Sequence, residues 1–234
     1  IGDFMTMLPV CKVLKEQTDH TIVMLVAKVN ISIAKKLDFI DDVIEYSEDT
    51  FTLLKRLSSY KFDVSISGYI DINLGFSLFL ARIPIRISPA TKIAQIFFNT
   101  TMKQNRSKVE KTEWAYNLDL LKAFDNSLKS EFTTPLVKLD KVRENFIIFH
   151  AGFGGSSEGN LKLDEYLSLA KKASGSVNIV FSFGPDDMET KKYIVNKLDF
   201  EATIRDDFSS LWDFTLFIAK SKLFVSTSTG PMHL

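Results

Sequence analysis

The stretch Phe224-Val225-Ser226-Thr227-Ser228-Thr229-Gly230-Pro231-Met232-His233-Leu234 decides how the chain is read. Leu223, Phe224 and Val225 form a short apolar run suited to a buried parallel strand, and hydroxyl residues follow it. Proline is preorganised for the first position of a helix, so Gly230 reads as the cap and Met232-His233 as the first turn. A strand that runs through small residues into a helix N-terminus offers free N–H groups and a positive dipole end to an anion. Pro231 has no N–H, which leaves Gly230, Met232 and His233 as donors, with the hydroxyls of Thr227, Ser228 and Thr229 beside them. The ligand this predicts is a phosphate or diphosphate. Many such junctions bind nothing, so the reading needs support from the rest of the chain.

Upstream, strand-like and helix-like segments alternate. Helical spacing runs over 4–16, interrupted by Pro9, a continuous apolar strand is predicted at 21–27, and further strands at 43–46, 62–67 and 83–87. Helices are predicted at 31–37, around Phe51, Leu54 and Leu57, and at 72–81. Residues 88–112 break the rhythm with Lys92, Lys103, Arg106, Lys108 and Lys111 against Glu110, and 113–124 returns to helix. A second alternating set starts at Phe146 and includes the strands 177–183 and 223–225. Asp207 is the expected cap of a helix whose inner face is Leu211, Trp212, Thr215, Ile218 and Ala219. Strands alternating with helices at these lengths imply parallel sheets covered on both faces. The pattern supports two Rossmann-like halves, 1–130 and 145–234, joined by a polar linker at 131–144.

The chain has 234 residues, enough for one large domain or two small ones. Lys+Arg and Asp+Glu are equal at 29 each, so no global field favours nucleic acid or an anionic membrane, and local charge matters instead. No apolar run reaches the length of a membrane span, and the single Cys11 excludes an internal disulfide framework. Three His, one Cys and no HExxH spacing argue against a zinc site. Ile1-Gly2-Asp3 begins where a first strand should already have ended, and Leu234 stops inside a first helical turn. The chain therefore reads as a fragment truncated at both ends.

Three further places can carry chemistry. Asp3 opens a helix; its carboxylate is either a cap or a general base beyond the end of a strand. The glycine-rich loop His150 to Ser157 is either a flexible turn or a second anion cradle, with Gly152, Gly154 and Gly155 allowing close approach and Ser156 and Ser157 donating. Phe183-Gly184-Pro185-Asp186-Asp187 ends a strand and opens a helix that either aspartate could cap.

Thr229-Gly230-Pro231-Met232-His233-Leu234, the opening Ile1-Gly2-Asp3 through Pro9, Tyr60 to Val64 and the Trp114 to Leu121 helix together resemble the bacterial ADP-heptose:lipopolysaccharide heptosyltransferases, glycosyltransferase family 9. That resemblance implies an α/β GT-B-like fold, two Rossmann-like domains with parallel sheets facing across a cleft. It implies an inverting transfer of heptose from ADP-heptose to the inner core of lipopolysaccharide, with no cofactor and no metal. Asp3 becomes the base for the acceptor hydroxyl. Gly154, Gly155, Ser156, Ser157, Asp187 (or Glu189), Trp212, Ser228, Thr229, Gly230, Pro231, Met232 and His233 face the donor. Lys92, Lys103 and Arg106 meet an anionic, lipid-linked acceptor, which places the protein in the cytoplasm, peripheral at the inner face of the membrane. Two departures stand out. The family's Lys before Trp-Pro is replaced by Gly159-Asn160, with Lys162 as a shifted substitute, and the Asp before Thr-Gly-Pro is replaced by Ser228. They leave open a GT-B enzyme that uses another nucleotide sugar, and a non-catalytic nucleotide- or sugar-binding module.

Overall fold

The computed structural model describes residues 1–139, 142–152, 161–227 and 229–234. Two compact units divide it, Asp3–Val137 and Lys138–Leu234, the latter joined by Ile1–Gly2.

The first unit carries α1 (Gly2–Gln17), β1 (Val23–Val26), α2 (Ile31–Ala34), β2 (Asp42–Glu45), α3 (Thr50–Ser58), β3 (Val64–Ile66), α4 (Ile72–Leu80), β4 (Ile85–Pro89), β5 (Thr100–Met102) and α5 (Glu113–Phe124). All its strand pairs are parallel: β1 with β2, and separately β3-β4-β5. Its helices are cut where local chemistry says they should be. Asp49 and Asp71 cap α3 and α4, their carboxylates accepting from the N–H groups of Thr52 (2.7 Å) and Leu74 (2.8 Å). One core cluster gathers Ile44, Leu53, Leu57, Ile70, Leu74, Leu78 and Phe98.

One expectation for this unit changes. Residues 88–112 are not one irregular loop, since β5 adds a strand to β4 with Ile87 opposite Thr100. The boundary between the units falls after Val137, inside the linker expected at 131–144, and the start of that linker lies against α1. Gln17 donates to the carbonyls of Lys129 (2.9 Å) and Glu131 (3.3 Å) and accepts from the Lys129 N–H, so the end of α1 holds that segment down.

The second unit carries β6 (Phe146–His150), α6 (Leu163–Ala173), β7 (Asn178–Ser182), α7 (Met188–Lys197), β8 (Thr203–Arg205), α8 (Leu211–Lys220) and β9 (Leu223–Ser226). Its four strands are parallel in the order β8-β7-β6-β9. Alternation along β6 shows why both faces are covered. Phe149 joins Ile179, Phe181, Tyr166 and Ile194 on the face under α6 and α7. Phe146 and Ile148 join Val180, Phe217, Ile218 and Phe224 on the face under α8. The stripe of α8 that turns inward is thus Phe214, Phe217 and Ile218: of the expected face Leu211, Trp212, Thr215, Ile218 and Ala219, Ile218 is on it, and Phe214 and Phe217 are added. Its cap is Ser210, whose hydroxyl accepts from the Asp213 N–H at 3.1 Å, whereas Asp207 pairs with Arg205 at 2.6 Å. The short strand β8 carries a single strong apolar residue, Ile204, too little for a local strand signal.

Candidate functional site

The strand order of the second unit fixes where a ligand can sit. From β6 the chain moves by α6 to β7 and then β8 on one side, and α8 returns it to β9 on the other. The order reverses between β6 and β9, and open parallel sheets bind ligands in the crevice beyond the carboxyl ends at that point. The segments that leave there begin at Ala151 and at Thr227. They touch: the buried Thr227 hydroxyl donates to the carbonyl of Gly152 at 3.3 Å.

Next to that contact lies a buried polar cluster. His150 ends β6 and Ser182 ends β7, and parallel register sets them side by side, with Nδ1 of His150 3.0 Å from Oγ of Ser182. Phe214 and Phe224 cover the imidazole, at ring separations of 5.5 and 6.2 Å. Asp187 turns back from the start of α7. Its Oδ2 accepts from the Gly184 N–H at 2.7 Å, lies 3.9 Å from Nε2 of His150, and occupies the space a side chain at Gly152 would need. Burial pushes the His150 imidazole below its ordinary pKa, and the Asp187 carboxylate and the Ser182 contact only partly offset it. The ring is therefore neutral near pH 7, and its Nε2 at 3.9 Å is too far for a hydrogen bond to Asp187. Asp187 stands at the cap position of α7 but makes no capping bond.

The terminal motif differs from expectation in its register. A 3₁₀ turn covers Gly230–His233, and Thr229, in extended conformation, is the residue before it, so Gly230 lies inside the turn rather than capping it. The Met232 N–H is occupied by the Thr229 carbonyl at 3.0 Å, which removes it from the expected donors. The hydroxyl of Thr229 is buried and has no hydrogen-bond partner among the described residues. Pro231 is half-buried, and Met232 and His233 are exposed. A Cβ at Gly230 would stand 2.7 Å from the Cβ of Ile1, so a larger residue there has to push Ile1 aside. Trp212 is half-buried in the first turn of α8, and Glu189 is in the first turn of α7. Lys162 caps α6, its N–H donating to Glu165 at 2.6 Å. Gly154, Gly155, Ser156, Ser157, Gly159, Asn160 and Ser228 lie outside the described residues.

In the first unit, Asp3 is exposed in the first turn of α1, where a carboxylate is favoured by the helix dipole; its carbonyl accepts from the Thr6 hydroxyl at 3.0 Å. Lys103 is exposed, and Lys92 lies 4.4 Å from the ring centre of Tyr69. Arg106 is not the free cation expected. Its guanidinium donates to Gln104 (2.9 Å), Glu113 (2.8 Å) and Asn117 (2.9 Å). The buried Asn117 in turn donates to the Thr6 carbonyl at 3.1 Å, so Arg106 ties α5 to α1. Lys111 pairs with Asp119 at 2.6 Å. Carboxylates of α5 thus neutralise part of a stretch that looks cationic when read alone. Among the described residues no three His, Cys, Asp or Glu side chains cluster as metal ligands would, and no helix is long and apolar enough to cross a membrane.

The residues sequence reasoning missed are Ser182 and the inward-facing role of His150. The only trace was that each polar residue ends an apolar run, Phe146 to Phe149 and Ile179 to Phe181.

No family model matches the chain. A Haemophilus influenzae protein, whose description as a glycosyltransferase is itself inferred, is 32% identical over 100% of this chain and 76% of its own length. Among solved structures, the E. coli ADP-heptose lps heptosyltransferase II superposes with a TM-score of 0.80 at 16% identity, covering 99% of this chain and 77% of that one. The glycosyl transferase family 9 protein of Veillonella parvula gives 0.79 at 14% identity, covering 99% and 73%. E. coli heptosyltransferase WaaC with ADP-2-deoxy-2-fluoro heptose gives 0.77 at 14% identity, covering 99% and 81%. At such identities the superpositions establish a common fold, the parallel-sheet α/β architecture of GT-B-like enzymes.

Proposed function

We propose, since this chain belongs to glycosyltransferase family 9, that it transfers heptose from ADP-heptose to an inner-core sugar of lipopolysaccharide, with inversion and without a metal. That it is a glycosyltransferase follows from the family; the donor, the acceptor and the residue roles are the proposal. The observation that carries it is the 3.3 Å bond from Thr227 to Gly152, which ties the segments leaving β6 and β9 together at the switch point. A diphosphate there meets backbone N–H groups and hydroxyls from both. The fold neighbour solved with ADP-2-deoxy-2-fluoro heptose supports an adenine nucleotide sugar as that ligand.

In the reaction an acceptor hydroxyl oxygen attacks the anomeric carbon. Its bond to the diphosphate oxygen breaks, ADP leaves with the electron pair, and Asp3 takes the hydroxyl proton. Charge growing on the departing diphosphate is met by the turn at Gly230 to His233, with Thr229, Ser228 and the Gly154 to Ser157 segment. Asp187 has a positioning role: by holding Gly184 and lying against Gly152, it sets the path of the chain where it leaves β6. Trp212 is assigned to the nucleoside, and Lys92 and Lys103 to the anionic acceptor. Work on a lipid-linked acceptor places the protein at the inner face of the cytoplasmic membrane.

Titration calorimetry with ADP, UDP and GDP tests the donor. ADP binding at least tenfold tighter than the others is expected, and preference for UDP or GDP overturns the assignment. Ser228 and Gly159-Asn160 favour a second reading, transfer of another nucleotide sugar, which that same preference would select. A chain that binds nucleotide yet transfers no sugar to any core acceptor is a binding module instead.

A further inference from the structure

Helix α4 is apolar on both its buried and its exposed stripe, its polar side chains being the buried Ser77 and Asn73, which bonds Tyr46, Ser47 and Thr50. Its sequence from Ile72 to Leu80 holds no charged residue. Leu74, Gly75, Ser77 and Leu78 face the core, and Gly75 lets the helix approach the segment Ile93–Phe97 so closely that a Cβ there would meet Phe97 and Phe98 at 3.1 Å. Ile72, Phe76, Phe79 and Leu80, spaced i, i+4, i+7 and i+8, form the opposite stripe, which is open to solvent. Ile72 is 62% exposed and Phe79 50%. The stripe continues onto the neighbouring segment, because Phe97 touches both Phe76 (5.5 Å between ring centres) and Phe79 (6.3 Å), and Ile93 and Ile96 beside it are 77% and 71% exposed. An uncharged helix with a second apolar stripe opposite its core face normally meets another apolar surface or lipid.

The charges around the stripe say what covers it. Residues 72–109 contain no Asp or Glu, yet include Arg82, Arg86, Lys92, Lys103, Arg106 and Lys108. Arg86 is turned inward, donating to the carbonyls of Phe97 (2.7 Å) and Ile83, and Arg106 is engaged by Glu113. Arg82, two residues past the end of α4 and beside Phe79 and Leu80, and Lys92, directly before Ile93 and over the ring of Tyr69, are exposed. Between Phe79, Leu80, Arg82, Ile83, Pro84 and Arg86 the surface forms a hollow. Exposed Phe and Ile bordered by Arg and Lys, with the nearest carboxylate in the chain, Asp71, engaged by the Leu74 N–H (2.8 Å) and the Tyr46 hydroxyl (3.2 Å), is the chemistry of an interfacial lipid contact.

We propose that the exposed face of α4, together with Ile93 and Ile96, docks the first unit onto an anionic phospholipid bilayer, its apolar side chains entering the headgroup–acyl boundary while Arg82 and Lys92 meet lipid phosphates. This deepens the membrane side of the function proposed above, and the two fail separately, because vesicle binding needs neither nucleotide nor acceptor.

Co-sedimentation with vesicles of phosphatidylethanolamine containing about a quarter phosphatidylglycerol tests it, with pure phosphatidylcholine vesicles as the comparison. Binding to the anionic vesicles is expected, weakening several-fold at roughly 0.5 M salt, with much weaker binding to phosphatidylcholine. The double variant Ile93→Ser, Ile96→Ser should partition about tenfold less, with its melting temperature and ADP affinity unchanged, since both side chains are exposed. Ile72→Ser should reduce partitioning in the same direction. Wild-type levels of binding by these variants, or equal binding to both vesicle types, overturns the proposal. So does a vesicle-indifferent wild type that sediments as a dimer and that the double variant converts to monomer, which would make the face an interface between two copies.

Discussion

Gly152 and Asp187 compete for one space: the carboxylate of Asp187 lies where a Cβ on Gly152 would be, although the two are 35 positions apart in the chain (187 − 152). Gly152→Ala must displace Asp187 from the Gly184 N–H or bend the chain beyond β6. A stability loss of about 1–3 kcal/mol is expected in urea denaturation, together with weaker ADP binding. Adding Asp187→Ala should relieve the clash, so the double variant loses less than the sum of the singles. Additive losses would show that the two sites do not share this space.

The buried imidazole of His150 sets a pH dependence whose sign can be worked out. Its pKa in the folded state lies below the ordinary value of about 6.5 that it regains on unfolding. Below that value the unfolded chain takes up a proton the folded state resists, so this stability is present above about pH 6.5 and is lost as pH falls toward the folded-state pKa. Asp187→Asn removes the charge that partly offsets burial and should steepen the loss. His150→Gln should flatten it. Denaturant midpoints at about pH 7, 6 and 5 compare the three proteins, and parallel slopes would remove His150 from the account.

Asp3→Asn tests the base. Turnover should fall by about 10²–10⁴-fold, with ADP affinity within a factor of about two. Retained turnover would take Asp3 out of the mechanism.

Arg106 and Lys103 separate framework from surface. Arg106→Ala, which strands the side-chain carbonyl of Asn117, should cost about 1–3 kcal/mol of stability. Arg106→Lys should recover little, because one ammonium cannot reach Gln104, Glu113 and Asn117 together. Lys103→Ala should leave stability unchanged and raise the acceptor KM, and an unchanged KM would remove Lys103 from acceptor binding.

At the start of α8, Ser210→Ala should cost about 1 kcal/mol by removing the cap. Asp207→Ala should cost clearly less, its carboxylate being an exposed partner of Arg205.

Most elements were legible because apolar runs and helical spacing are local signals. β6, α6, β7 and β9 each carry one, as do α3 and α4. Thr100-Thr101-Met102 and Thr203-Ile204-Arg205 carry none, being three-residue strands whose identity comes from the ladders of β4 and β7. The cap of α8 was misplaced because Asp207 and Ser210 are both good capping residues and only geometry chooses between them. The switch-point turns could be found from their glycines and hydroxyls. The His150–Ser182–Asp187 cluster could not, because it depends on the register of β6 against β7 and on how α7 begins.

The central position of β6 bears on biogenesis. One of its flanks is closed by β7 soon after both strands exist, but the other waits for residues 223–226. A nascent chain emerging from the ribosome therefore holds a bare, strongly apolar backbone edge while three further helices and two strands are synthesised. Slow translation across 151–222 would prolong that exposure, and chaperone demand should rise with it.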